Sequence, residues 1–163
     1  MYVDSTLTMR THITHVLSSC YSALRQIRSI IPSLSSHALN ALVTALVHSR
    51  LDYCNVGFAS LPACDIQQLQ SVLNTAVRLV AGSSRRDNAF SLLRDRHWLP
   101  VKRRVEYKLY MMVHPSYLLD LITSSAYATV RAGLRSAASS TVAVPRTMSS
   151  LGDRSFAAAG PRA

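Results

Sequence analysis

A chain of 163 residues is long enough for one domain with a tail, or for two small units. Hydrophobic residues make up 48%, enough for a core, whereas 7% aromatics and 5 glycines argue against a β-sandwich or a loop-rich scaffold. Eighteen basic residues against 8 acidic ones leave a net charge of +10, which attracts polyanions, nucleic acid first and anionic membrane second.

In chain order, Met1 to Met9 reads as extended, with Val3, Leu7 and a polar turn at Asp4-Ser5-Thr6. From Thr11 the spacing predicts a helix, since Ile13, Val16, Cys20, Leu24, Ile27 and Ile31 recur at helical intervals and Pro32 stops them. Ser35 or Ser36 is placed to cap a second helix. Its buried face is Leu39, Leu42, Val43, Leu46, Val47 and Leu51, and it is expected to run through Asp52-Tyr53-Cys54. The third helix is the most regular. Ile66, Leu69, Leu73, Ala76, Val77 and Val80 form its apolar face, and Gly82 stands at the position after its end. A basic loop, Ser83 to Asn88, leads to a short helix over Ala89 to Arg94. Trp98-Leu99-Pro100 reads as a hinge, with Pro100 at the first position of a fourth helix. There Val101, Val105, Leu109 and Met112 face inward, Lys102, Arg103 and Glu106 face solvent, and Pro115 ends the run. Residues Ser116 to Ile122 add one or two turns. From Ser124 onward small residues, Ser, Thr and scattered Arg dominate, a composition expected to be poorly ordered alone. Within it Thr141 to Pro145 suits a short edge strand, and Gly152 to Phe156 a turn into another short element. The expected fold is mainly α: a small bundle of about four helices over 11–123, an extended lead-in over 1–10 and a basic tail over 124–163 with at most short strands.

Arg85 to Lys108 concentrates eight cations against three acids, with Trp98 and Tyr107 among them. Cations beside aromatics suit a surface that holds phosphates and stacks a base or sugar. The phosphate-contact candidates are Arg85, Arg86, Arg94, Arg96, Lys102, Arg103 and Arg104. Of the 18 basic residues 16 are Arg, which favours planar, bidentate phosphate contacts, although codon bias in a GC-rich gene also exchanges Lys for Arg. Trp98 reads more readily as a core anchor than as a stacking platform, and His97 as a hydrogen-bonding core or hinge residue rather than a base. Asp52 is explained by capping or by pairing with Arg50, and Tyr53 and Asn55 by hydrogen bonds across a helix interface.

No catalytic set emerges: there is no P-loop, no nucleophile elbow, no dinucleotide turn and no H-E-x-x-H. Two-metal polymerase or nuclease chemistry needs clustered carboxylates, which 8 scattered acids do not supply. His12 and His15 sit at i and i+3 but lack a third ligand, so neither a metal nor another cofactor is expected. Cys20, Cys54 and Cys64 are odd in number and without C-x-x-C spacing, as in a reducing compartment. The longest uncharged run, Ser29 to Ser49, holds Pro32, His37, Asn40 and several Ser, which excludes a bilayer span. Cytoplasm or nucleus is the expected location. The nearly acid-free, Arg- and Ser-rich N-terminal segment also has the composition of a mitochondrial transit peptide.

Several strings together carry a resemblance. Ser49-Arg50-Leu51-Asp52-Tyr53-Cys54-Asn55, then Leu61-Pro62, then Leu69 to Gly82 resemble the region after the palm in jockey-like non-LTR (LINE-type) retrotransposon reverse transcriptases. His97-Trp98-Leu99-Pro100-Val101 with Arg104-Val105-Glu106-Tyr107-Lys108 resembles that family's next block. Val144-Pro145-Arg146 and Gly152-Asp153-Arg154-Ser155-Phe156 resemble its terminal block, and Val3 to Met9 the strand leading out of the palm. The resemblance covers nearly the whole chain in the right order. It implies the thumb and adjoining C-terminal region of an RNA-directed DNA polymerase, a helical part that grips the template–primer duplex. The palm with its paired catalytic aspartates would lie upstream of Met1. The chain is shorter than the family between His114 and Pro115, and it ends before the family's Trp-Asn pair. These departures imply a non-catalytic fragment with weak, sequence-nonspecific affinity for RNA or an RNA–DNA duplex. The alternative is a helical interaction or structural module whose surplus apolar surface receives a protein partner.

Overall fold

The computed structural model describes residues 9–113, 146–153 and 156–159, and among them the chain is mainly helical. It divides into two compact units, Met1–Asn55 with Leu61–Arg104, and Val56–Ser60 with Val105–Ala163.

The first unit opens with Met9 in the left-handed region (φ 63°), followed by α1 (Arg10–Ile30). Ile13, Val16, Cys20, Ala23, Leu24 and Ile27 are buried along one face of α1, as the spacing predicts. Pro32 has no N–H to extend the α ladder. The chain tightens there into a 3₁₀ turn, Ile31–Ser33, in which Ile31 is only half-buried. Ser35 caps α2 (Ser36–Val43), its Oγ accepting from the Ala38 N–H at 3.2 Å. A π-helical turn, Thr44–His48, joins α2 to α3 (Ser49–Asp52). This wider turn rotates the buried face, so Val43, Val47, His48 and Leu51 all point inward while Leu46 is half-exposed. The helical path stops at Asp52 instead of continuing through Cys54. Tyr53 is extended and Cys54 is left-handed at φ 58°.

The long helix α4 (Ala63–Ala81) packs against α1, α2 and the π turn. Leu69, Val72, Leu73, Ala76 and Val77 have 0% exposure and form the centre of the core. Ile66 and Val80, expected inside, are half-buried, whereas Asp65 is buried in the first turn. A short α5 (Ala89–Asp95) lies against α4, capped by Asn88, whose Oδ1 accepts from the Phe90 N–H at 3.0 Å. Next, α6 (Val101–Val113) begins in the first unit and continues into the second. Pro100 occupies the capping position, not the first helical one, because its carbonyl accepts from the Arg104 N–H at 3.0 Å. Val101, Val105 and Leu109 are buried, but Met112 is 40% exposed.

In the second unit Phe58 is 1% exposed and Ser60 Oγ donates to the Asp153 carbonyl at 2.7 Å. Two single turns, α7 (Ser150–Asp153) and α8 (Phe156–Ala159), pack on each other. Gly152 and Asp153 thus belong to a helical turn. The expected stop at Pro115, the turns over 116–122, the strand at 141–145 and the boundary at 123/124 lie outside the described residues.

Both α4 and α5 end in the same hydrogen-bonded motif. Gly82 N–H reaches the Leu79 carbonyl and Ser83 N–H the Arg78 carbonyl; His97 N–H reaches Arg94 and Trp98 N–H reaches Leu93. The motif needs a left-handed residue at its apex. Gly82 supplies it at φ 64° and His97, a side-chain-bearing residue, at φ 56°. A Cβ on Gly82 would meet nothing within 4 Å, so Gly82→Ala is expected to cost only the backbone strain, about 1 kcal/mol. His97→Gly is expected to be neutral or stabilising by up to about 1 kcal/mol. Urea denaturation of both variants checks the pair.

Candidate nucleic-acid interface

The loop and hinge after α4 are fixed by local bonds that decide which basic side chains reach solvent. In the loop Ser83–Asn88, the Ser84 N–H donates to Asp87 Oδ2 at 2.7 Å and the Arg86 N–H to Ser84 Oγ at 3.2 Å. Arg78, in the last turn of α4, donates from Nε and Nη2 to the Asp87 carbonyl at 3.3 and 3.1 Å. The loop is thereby held to the helix it leaves. Arg85, Arg86 and Arg94 are exposed, and their side chains form no hydrogen bond or ion pair with a described residue. Lys102 and Arg103 are exposed on the first turn of α6.

Two of the candidates are instead engaged internally. Arg96 is half-buried, and its Nη2 donates to the Val80 carbonyl at 3.4 Å. Arg104 is more deeply committed, with 15% of its side chain exposed. Its Nη1 pairs with Asp52 Oδ2 at 2.8 Å, its Nε donates to the Leu99 carbonyl at 2.9 Å and its Nη2 lies 3.3 Å from His48 Nδ1. A guanidinium only donates, so His48 Nδ1 accepts and the ring is neutral, with its proton on Nε2. Trp98 stands edge-on to this ring, with centroids 4.2 Å apart and planes at 75°. Trp98 is therefore a half-buried packing residue of the junction, and His97 is the exposed apex of the turn before it. Asp52 pairs with Arg104 rather than with Arg50, which donates to the Ser19 carbonyl at 3.0 Å. Asn55 is buried and donates from Nδ2 to Asp52 Oδ1 at 3.3 Å, whereas Tyr53 is 55% exposed.

Three basic residues outside the 85–108 cluster share a cavity with Arg85. A groove of about 690 Å³ runs between the C-terminal halves of α1 and α4, lined by Arg25, Arg28, Arg78 and Arg85 together with Tyr21 and Leu79. Arg25 and Arg28 lie one turn apart on α1, a spacing visible in the sequence. That α4 lies opposite them is a tertiary fact. A second cavity, of about 660 Å³, lies between α1 and α3 and is lined by His12, His15, Ser19, Gln26, Arg50 and Tyr53. His12 is buried against Tyr53, and burial, with His15 nearby, lowers its pKa. Among the described residues no three His, Cys, Asp or Glu side chains converge as metal ligands, and no helix is long and apolar enough to cross a membrane. Compared with known proteins, the chain matches no family model, no curated protein and no solved structure.

Burial, with the Arg104 charge beside it, depresses the His48 pKa to about 4, against the partial opposition of Asp52. Because the folded value lies below the unfolded 6.5, the unfolded chain takes up the proton first. The His48 contribution to stability is thus complete above pH 6.5 and is lost as pH falls towards 4, by up to about 3 kcal/mol. His48→Gln keeps an acceptor for Arg104 but does not titrate. Denaturation midpoints between pH 7.5 and pH 4.5 are expected to fall steeply in the native chain. They should fall less in the variant, which retains the smaller slope of His12.

Proposed function

We propose that the chain is the thumb and adjoining C-terminal region of a LINE-type reverse transcriptase, and that it binds nucleic acid through phosphates without reading sequence. The ordered blocks Ser49 to Asn55, Leu69 to Gly82 and His97 to Lys108 support the family assignment. The observation that carries the binding role is the set Arg85, Arg86 and Arg94. These three are exposed and unengaged among the described residues, while Arg104 and Arg96 are turned inward. Cations without a carboxylate or carbonyl partner keep their full attraction for phosphate, and they do not have to break an internal bond to use it. Lys102 and Arg103 add two exposed cations at the start of α6. On this reading the chain holds RNA or an RNA–DNA duplex and does no chemistry itself; the carboxylates that would bind metal ions belong to the palm. On the same reading the chain works in the cytoplasm or nucleus, with its template.

One observation favours a second reading. In the second unit Tyr107, Tyr110 and Met111 are each more than half exposed along α6, an apolar surface suited to a protein partner.

Fluorescence anisotropy of the full chain with a labelled RNA–DNA duplex separates the two. Phosphate binding is expected to weaken steeply between low and near-physiological salt. Arg86→Ala/Arg94→Ala should flatten the log–log salt slope by about one unit per arginine removed. No binding at low salt by a folded chain, or binding indifferent to salt, would leave the apolar reading.

A further inference from the structure

We propose that the groove between α1 and α4 is a separate site for a nucleoside di- or triphosphate. This goes beyond duplex binding, because it assigns a compact ligand to Arg25, Arg28 and Arg78, which the duplex reading does not need, with Arg85 shared between the two surfaces.

The charge at the groove exceeds what the fold asks for. Arg28 and Arg78 stand in the last turns of α1 and α4, where a single cation on each helix compensates the exposed carbonyl ends. Arg25 and Arg85 add two more, and no carboxylate is among the described residues lining the cavity. Asp87, the nearest acid in sequence, has one carboxylate oxygen on the Ser84 N–H of its own loop. Arg25, Arg28 and Arg85 form no side-chain hydrogen bond or ion pair with a described residue. Arg78 is oriented by its two bonds to the Asp87 carbonyl, which leave Nη1 uncommitted. Four guanidinium groups around one concavity match an anion carrying several charges within a few bonds. Along a nucleic-acid strand, by contrast, each nucleotide contributes a single backbone charge.

The remaining lining fits the rest of a nucleotide. Leu24 is buried and Ile31 and Leu79 are half-buried, giving an apolar floor beneath the arginine rim. The half-buried Tyr21 is held in place by its hydroxyl, 2.9 Å from Ser71 Oγ across the helix pair, so its ring is a fixed wall for a base or sugar. Ser83 adds a hydroxyl beside the arginines. The volume, about 690 Å³, lies within the range of roughly 300–1,000 Å³ typical of small-ligand pockets.

The test uses the full chain and a nucleoside triphosphate carrying a fluorescent group on its ribose, displaced by unlabelled nucleoside triphosphate, inorganic triphosphate or nucleoside. Arg25→Ala/Arg28→Ala is expected to weaken binding at least about tenfold. Arg10→Ala/Arg146→Ala removes the same charge at exposed positions outside the groove and is expected to change it less than about twofold. Tyr21→Ala, which leaves all four arginines in place, should weaken the nucleotide more than inorganic triphosphate. Unchanged denaturation midpoints establish that each variant is folded. The proposal is overturned if the folded native chain does not bind the probe. It is also overturned if the charge-matched control weakens binding as much as the groove variant, or if the nucleoside displaces the probe as well as the triphosphate does. Loss of this site would leave duplex binding by Arg86 and Arg94 intact, so the two readings fail separately.

Discussion

Arg104 joins two stretches of the first unit more than 50 residues apart in sequence: it reaches back to His48 in the π turn and Asp52 at the end of α3, and it also holds the Leu99 carbonyl of its own hinge. Each bond uses a different nitrogen of one planar group, a geometry that lysine cannot reproduce. The clamp sets the start of α6 against the α2–α3 segment. A second tie, from the Val101 N–H to Gln70 Oε1 at 2.8 Å, anchors the same turn to α4. Lys102 and Arg103 are directed outward because Val101 and Arg104, on the opposite face of the turn, are held. The cost is a buried polar junction. Such a junction is most stable while His48 is neutral, since a protonated ring would set a second positive charge beside the guanidinium.

Its arginines therefore fall into two populations, which net charge alone does not distinguish. Arg50 and Arg104, with Arg96 more weakly, hold backbone and side chains of the fold together. Arg25, Arg28, Arg85, Arg86 and Arg94 face solvent without such bonds among the described residues. Arg78 belongs partly to each, securing the loop while lining the groove. A polyanion meets the second population, and that population spans two surfaces that share Arg85.

Helical periodicity carried most of the fold. The stripes of α1 and α4, the Ser35 cap and the Gly82 terminus follow from spacing and from the conformational limits of each residue type. The π turn did not, because Thr44 to His48 carries no sequence mark of a wider turn, and it is this turn that brings His48 inside. Exposed cations after α4 were legible because they cluster along the chain. The groove was not, since its two walls are joined only by the packing of helices about 50 residues apart, as at Tyr21 and Ser71. Charge clustering alone makes Arg104 a phosphate-contact candidate, although its position carries a signal of burial. It stands at i+3 from Val101 and next to Val105, on the buried stripe of its own helix.

The division of the arginines is tested most directly by arginine-selective modification with phenylglyoxal under native conditions, followed residue by residue with peptide mass spectrometry. Arg86 and Arg94 are expected to react quickly and to be protected by an RNA–DNA duplex. Arg25 and Arg28 should also react quickly but be protected by a nucleoside triphosphate. Arg50 and Arg104 should react slowly with or without ligand. An Arg104 that reacts as fast as Arg86 in the folded chain would contradict the clamp, and with it the assignment of which charges are free to bind.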